Sequence, residues 1–133
     1  AAPGDRAEAT SALARAYLVG PRILLLDEPF GALAAQPARV MQEELLTLWC
    51  QDRPSVLYVT HNVHEAVALA DRIVVMTGRP GRIREEIRIP LARADRTHGD
   101  AALEEIKWRI WKSLEQEVRT NLGFDGEIAA RRG

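Results

Sequence analysis

The chain has 133 residues, 47% of them hydrophobic and 28% charged, the balance of one modest globular domain rather than a disordered chain. A formal net charge of −1 with both signs interspersed gives no basic field that would call for nucleic acid. The lone cysteine, Cys50, excludes an internal disulfide and suits a reducing compartment, no secretory signal is visible, and no apolar run approaches the ~20 residues of a membrane span.

The chain opens on alanine, in mid-pattern, and is expected to be a piece of something longer. Ala7 to Leu18 is alanine-rich and reads as a helix that Gly20-Pro21 stops. Arg22 to Asp27 follows as a strand whose continuous apolar run, Ile23 to Leu26, is the pattern of burial on both faces in a parallel sheet. Pro29 to Gly31 reads as a loop. A second helix is expected over Pro37 to Cys50, with Pro37 suited to its first turn and Cys50 packed as a small apolar side chain. Asp52-Arg53-Pro54 turns the chain into a second β-rich run, Ser55 to Thr60. Asn62 and Glu65 have the spacing of a helix start, giving a short helix over Val63 to Ala70, and Arg72 to Met76 is a third strand.

Thr77 to Arg82 is a turn. Ile83, Ile87 and Ile89 belong to a further extended segment of mixed charge, expected at a sheet edge. Leu91 to Gly99 reads as polar loop. Asp100 to Thr120 reads as a charged helix on which Leu103, Ile106, Ile110, Leu114 and Val118 keep 3/4 spacing. Trp108 and Trp111 extend that stripe sideways and are expected to pack against the body of the domain. The tail, Asn121 to Gly133, is expected to fray. The alternation of strand and helix implies βαβ units and a parallel sheet, an α/β fold.

Two of these units end a strand on side chains suited to catalysis. Asp27 and Glu28 stand where open α/β sheets place their ligands, at the C-terminal end of a strand. Two carboxylates there suit a metal–phosphate site, one for Mg²⁺ and one to orient or deprotonate a water. They would equally fit two solvated acids before a proline turn. His61 lies just past the second run, and neighbouring parallel strands about 4.8 Å apart would bring it beside Glu28. A capping or surface histidine has the same spacing. His64, on the first turn of the next helix, reads as solvent-exposed, and His98 lies in polar loop.

I-L-L-L-D-E-P-F-G-A-L from Ile23, V-T-H-N-V-H-E-A-V-A-L-A-D-R-I-V-V-M from Val59 and R-P-G-R-I from Arg79 occur in that order. Together they resemble the nucleotide-binding subunit of ABC transporters, most of all the nitrate, sulfonate and taurine import group, over roughly residues 12 to 120. The resemblance implies the C-terminal half of a parallel-sheet P-loop NTPase domain ending in a helix, with residues 1–133 as the C-terminal part of a single ABC ATPase domain. It implies ATP and Mg²⁺ as cofactors. Asp27 matches the Walker B aspartate, which helps hold Mg²⁺ through its water shell. Glu28 matches the glutamate that polarises the attacking water, and His61 the switch histidine that contacts the γ-phosphate. Phe30, Gly31, Ala32 and Leu33, with Ala34 in the aspartate position, match the D-loop, which crosses to a partner subunit. The implied partners are a second ABC ATPase domain, a membrane permease and, indirectly, a solute-binding protein, with no nucleic acid. The implied place is the cytoplasmic face of the membrane, held peripherally.

The chain departs from that family in three places. The phosphate-cradling loop G-x-x-x-x-G-K-S/T does not occur in the sequence. Alignment of Leu13-Ala14-Arg15-Ala16 with the family's L-A-R-A puts Pro3 to Ala7 where L-S-G-G-Q belongs, and the D-loop aspartate is Ala34. The leading expectation is therefore a piece of an ABC import ATPase that works only within a complete, paired domain. The alternative is a non-catalytic, truncated or decayed copy acting as a binding or structural module. A third reading, an ABC-type ATPase of DNA repair, is disfavoured by the lack of coiled-coil heptads and of a basic face, and by R-P-G-R-I.

Overall fold

The computed structural model describes residues 3–97 and 99–122; His98 and residues 123–133, most of the expected frayed tail, lie outside the described residues. The chain divides into two units, Ala1–Asn62 and Val63–Gly133.

In the first unit, α1 spans Pro3–Leu18, β1 Ile23–Asp27, α2 Ala35–Asp52 and β2 Ser55–Val59. Helix α1 starts four residues before the alanine-rich stretch because Pro3 and Asp5 are both favourable in a first turn. Gly20, at φ 62, ends it by donating its N–H to the Tyr17 carbonyl at 3.1 Å. The strands pair in parallel, with Ile23 opposite Ser55 and Asp27 opposite Val59, and α2 is the crossover that parallel pairing requires. Leu13 of α1, and Ala38, Met41 and Leu45 of α2, form the core with Phe30; Leu26 and Tyr58 pack onto it from the strands. Both helices thus cover the Leu26/Tyr58 face. The expectation of a strand buried on both faces fails on the other side. Leu25 is 70% and Leu57 62% exposed, with Ile23 and Val59 beside them, because no layer of the described chain covers that face. Cys50 is exposed rather than packed, since α2 turns Ala38, Met41 and Leu45 inward instead.

In the second unit, α3 spans Val63–Leu69, β3 Arg72–Met76, β4 Ile83–Arg88 and α4 Ala101–Leu122, with a short 3₁₀ turn at Arg93–Asp95. The third strand does not extend a parallel order: β3 pairs antiparallel with β4, with a bulge between Val75 and Met76, since the short Thr77–Arg82 turn favours a hairpin. Val63, Val67, Ile73, Val75, Ile87, Ile89, Leu103 and Ile110 form its core. The polar stretch after β4 is ordered by two arginines. Arg93 Nε donates to the Leu69 carbonyl at 2.7 Å and Arg96 to the Val67 carbonyl at 3.0 Å, satisfying carbonyls that the end of α3 leaves open. Asp100 is the cap of α4 rather than its first residue, accepting the N–H of Ala102 at 2.9 Å.

Leu103 and Ile110 are buried as their spacing requires, with Ile106 and Leu114 packed beside them. Trp108 and Trp111 are not packed: they are 62% and 53% exposed, and Val118 is exposed too. A step of about 100° per residue carries them off the stripe. Polar braces tie the opposite edge of the stripe to the hairpin. Arg84 meets Glu117, Arg109 meets Glu85, and the Gly78 N–H donates to Glu117 at 3.0 Å. The Gly78 N–H foremost, with Arg84 adding, holds the Glu117 carboxyl below its ordinary value of 4.5 against the opposing effect of burial.

Two outcomes test these packing arguments. Parallel sheets rarely leave a face bare, and a bare apolar patch promotes association. Leu25→Thr with Leu57→Thr should lower the sedimentation-average mass of the chain toward that of one copy. Folding stability should change by only about 0.5 kcal/mol per site, as for other exposed positions. A parent already monomeric at the same concentration would contradict this. For Glu117, a depressed folded value means that its stabilisation is present above pH 4.5 and is lost as pH falls through the folded value. The stability difference between the parent and Glu117→Gln, read from urea unfolding, should therefore shrink steadily below pH 4.5.

Candidate functional site

The parallel ladder runs one residue past β1: the Glu28 N–H donates to the Val59 carbonyl at 2.8 Å. That bond fixes the start of the loop after β1 against the end of β2, two residues before His61. Glu28 then takes a left-handed conformation, φ 45, which costs an L-residue about 1–2 kcal/mol and is further disfavoured before a proline. The chain doubles back at once, with the Gly31 N–H on the Glu28 carbonyl and the Leu33 N–H on the Phe30 carbonyl, both at 3.1 Å. Pro29 at the second position and Gly31 at the fourth suit the first of these turns. A Cβ on Gly31 would meet the Glu28 carbonyl oxygen at 3.4 Å.

The turn aims the Glu28 carboxylate at His61. Its Oε1 accepts the His61 backbone N–H at 2.9 Å and lies 2.6 Å from Nδ1 of the ring. An ionised carboxylate only accepts hydrogen bonds, so Nδ1 carries the proton and Nε2 is the atom left for a ligand. The His61 side chain is 87% exposed, so solvent screens the pair and its net worth to stability is about 0–1 kcal/mol. Oε2 of Glu28 makes no hydrogen bond among the described residues and is open to a water. Asp27 ends β1 on the uncovered side of the sheet and is exposed.

The expected site residues are thus brought together in part. Glu28 and His61 are in direct contact, and Asp27 adjoins Glu28 in the chain. Within the loop, Gly31, Ala32 and Ala34 are exposed and Leu33 half-buried, while Phe30 is 4% exposed and points into its own core. His64 on α3 is exposed, as its position suggested. Sequence reasoning missed the left-handed backbone at Glu28, for which the pre-proline position argued the other way. It also missed the contact between Phe30 and Tyr58, whose rings lie 6.4 Å apart at 57°.

Among the described residues no group of three or more His, Cys, Asp or Glu side chains could hold a metal ion by itself. The donor set fits a hard cation that brings its own ligands. Mg²⁺ is commonly held by one or two carboxylates, with water and phosphate oxygens completing its shell, and Asp27 offers one such carboxylate. The arrangement as a whole can orient a water through Glu28 and meet an anionic oxygen through His61.

No family model matches the chain. Curated relatives do. An uncharacterized ABC transporter ATP-binding protein of Methanocaldococcus jannaschii is 46% identical over 114 residues, 84% of this chain and 41% of that protein. A nitrate import ATP-binding protein of Synechococcus elongatus is 51% identical over 83 residues, 62% of this chain and 30% of that protein. An aliphatic sulfonates import ATP-binding protein of Bacillus cereus is 40% identical over 104 residues, 78% of this chain and 41% of that protein. The chain spans less than half the length of these relatives. With identities of 40–51% along most of its length, it is a homologue of ABC transporter ATP-binding proteins, nitrate and sulfonate import proteins among them, and corresponds to a C-terminal part of them.

Proposed function

We propose that the chain supplies part of the ATP-hydrolysing domain of an ABC importer for nitrate-, sulfonate- or taurine-like solutes. The observation that carries this reading is the contact between Glu28 and His61 at the ends of two parallel strands, with Asp27 next in line. In this reading Glu28 orients the attacking water through Oε2 and accepts its proton. His61 holds Glu28 through Nδ1 and, when doubly protonated, donates from Nε2 to a terminal phosphate oxygen, where negative charge is greatest. Asp27 would hold Mg²⁺ through water, and the ion would supply positive charge to offset that of the phosphates.

The partners in this reading are a second ATPase domain, a membrane permease and a solute-binding protein. No helix among the described residues is long and apolar enough to cross a membrane, which agrees with peripheral attachment to a permease at the cytoplasmic face. The bare face of the β1–β2 sheet fits a surface that the rest of a longer domain would cover.

One set of observations favours the non-catalytic alternative. Residues aligned with the phosphate-closing signature lie inside α1, and Asp5 and Glu8 of that helix line an open groove against Pro29 and Leu33. Two carboxylates there repel a phosphate, and side chains in place of glycines block close backbone approach.

Hydrolysis is tested by joining the N-terminal part of the Methanocaldococcus relative to this chain and measuring phosphate release from MgATP. Glu28→Gln should abolish turnover while nucleotide binding survives, since Gln keeps the shape but is no base. His61→Ala should lower turnover by about 10²- to 10³-fold, the range for losing a transition-state hydrogen-bond donor. Turnover at the parental rate in either variant would show the role assigned to it to be wrong. The chain alone should bind MgATP weakly, because the G-x-x-x-x-G-K-S/T loop, whose lysine and backbone nest hold the triphosphate, does not occur in its sequence. A micromolar dissociation constant by calorimetry would contradict this.

A further inference from the structure

The strained backbone at Glu28 needs something to hold it. A left-handed, pre-proline residue on a surface loop relaxes unless its surroundings over-determine it. The Val59 carbonyl holds its N–H and the Gly31 N–H holds its carbonyl, but both partners are backbone groups that would follow a shifting loop. The most deeply buried side chain of the loop is Phe30. It is buried among Leu13, Ala38, Met41 and Leu45, two residues after Glu28. Its ring also packs on Tyr58, three residues before His61, at a centroid distance of 6.4 Å. Each ring therefore stands on the chain segment that carries one member of the Glu28–His61 pair, and the two rings meet.

We propose that Phe30 is a positioning residue: its ring, seated on Tyr58, keeps the loop after β1 in register with the end of β2 and so holds the Glu28 carboxylate on Nδ1 of His61. Leu26 lies opposite Tyr58 in the ladder and packs on the same cluster, so the brace continues the strand pairing beyond the last ladder bond. Burial of Phe30 opposes relaxation of Glu28, and the turn between them, with Pro29 limiting its freedom, transmits the constraint. The proposal deepens the hydrolytic reading by naming what positions its base, while its geometric content holds without nucleotide.

The test is ¹⁵N NMR of the His61 ring in the 133-residue chain, without nucleotide. In the parent the Nδ1–H tautomer should dominate the neutral ring, because Glu28 accepts that proton. Phe30→Ala should move the tautomer ratio toward Nε2–H by about two- to tenfold, the factor a net hydrogen bond supplies. Tyr58→Phe keeps the ring and should leave the ratio at the parental value, whereas Tyr58→Leu should shift it in the same direction as Phe30→Ala. Met41→Ala opens the core around Phe30 but keeps both rings, and should shift the ratio less than Phe30→Ala does. If Phe30→Ala does not fold, Phe30→Leu, which keeps apolar bulk but no ring, takes its place with the same expected shift. An unchanged ratio in the Phe30 variant overturns the proposal, and so does a shift in Met41→Ala as large as in Phe30→Ala. In the joined protein, Phe30→Leu should lower kcat with KM unchanged. Absence of any parental turnover would count against the hydrolytic reading and leave the NMR result to decide the positioning role.

Discussion

One backbone hydrogen bond organises the candidate site: the Glu28 N–H on the Val59 carbonyl. It is the last rung of a parallel ladder, made where β1 has already turned into loop. Parallel rungs are evenly spaced, so this bond sets the height of Glu28 relative to His61 two residues further along the neighbouring chain. The carboxylate then needs only the turn at Pro29 to face the imidazole. The pair is exposed and adds little to stability, so the fold supports the site far more than the site supports the fold. That asymmetry suits a chemical group that must be free to meet a ligand.

The first unit is built from one side only. Its helices α1 and α2 cover the Leu26/Tyr58 face, with Met41 and Leu45 filling the layer between, and Ile23, Leu25, Leu57 and Val59 stand bare on the other. Asp27 emerges on that same bare side, next to Glu28. The second unit meets its needs differently. Its hairpin and α4 close a small core, and ionic braces such as Arg84–Glu117 replace apolar contact along the flank of the helix. Each brace is local, and together they let α4 keep charged residues close to the hairpin without leaving them unpaired.

Much of this was legible in the chain itself. Gly20-Pro21 stops α1, the apolar run from Ile23 is a strand, and the parallel pairing of β1 with β2 follows from the helix between them. Glu28 and His61 meet as strand-end spacing implied. Three features were not legible, each for a physical reason. Four consecutive apolar residues cannot say which face will find a partner, so Leu25 reads as buried whether or not a layer covers it. The tryptophans of α4 look like core by hydropathy, but the helical angle puts Trp108 and Trp111 outside, and the hairpin braces through Arg109 and Glu117 lie on the other edge of the buried stripe. The left-handed turn at Glu28 runs against the local preference of a residue before proline, and tertiary anchoring of Phe30 overrides that preference.

The parallel register has a kinetic side as well. Met76 meets Ile83 across a short turn in the second unit, whereas Ile23 meets Ser55 only after the chain has gone out through the whole of α2 and returned. Contacts distant in sequence carry the larger loop-closure cost and form late. The hairpin can close early, while β1 must wait for α2 to form and dock. Glu28 and His61 become neighbours only through that distant pairing, so the dyad is among the last features to assemble as the chain folds. Until it does, β1 offers a four-residue aliphatic run with open edges, and the interval before site assembly is the one in which this chain is most exposed to misassociation.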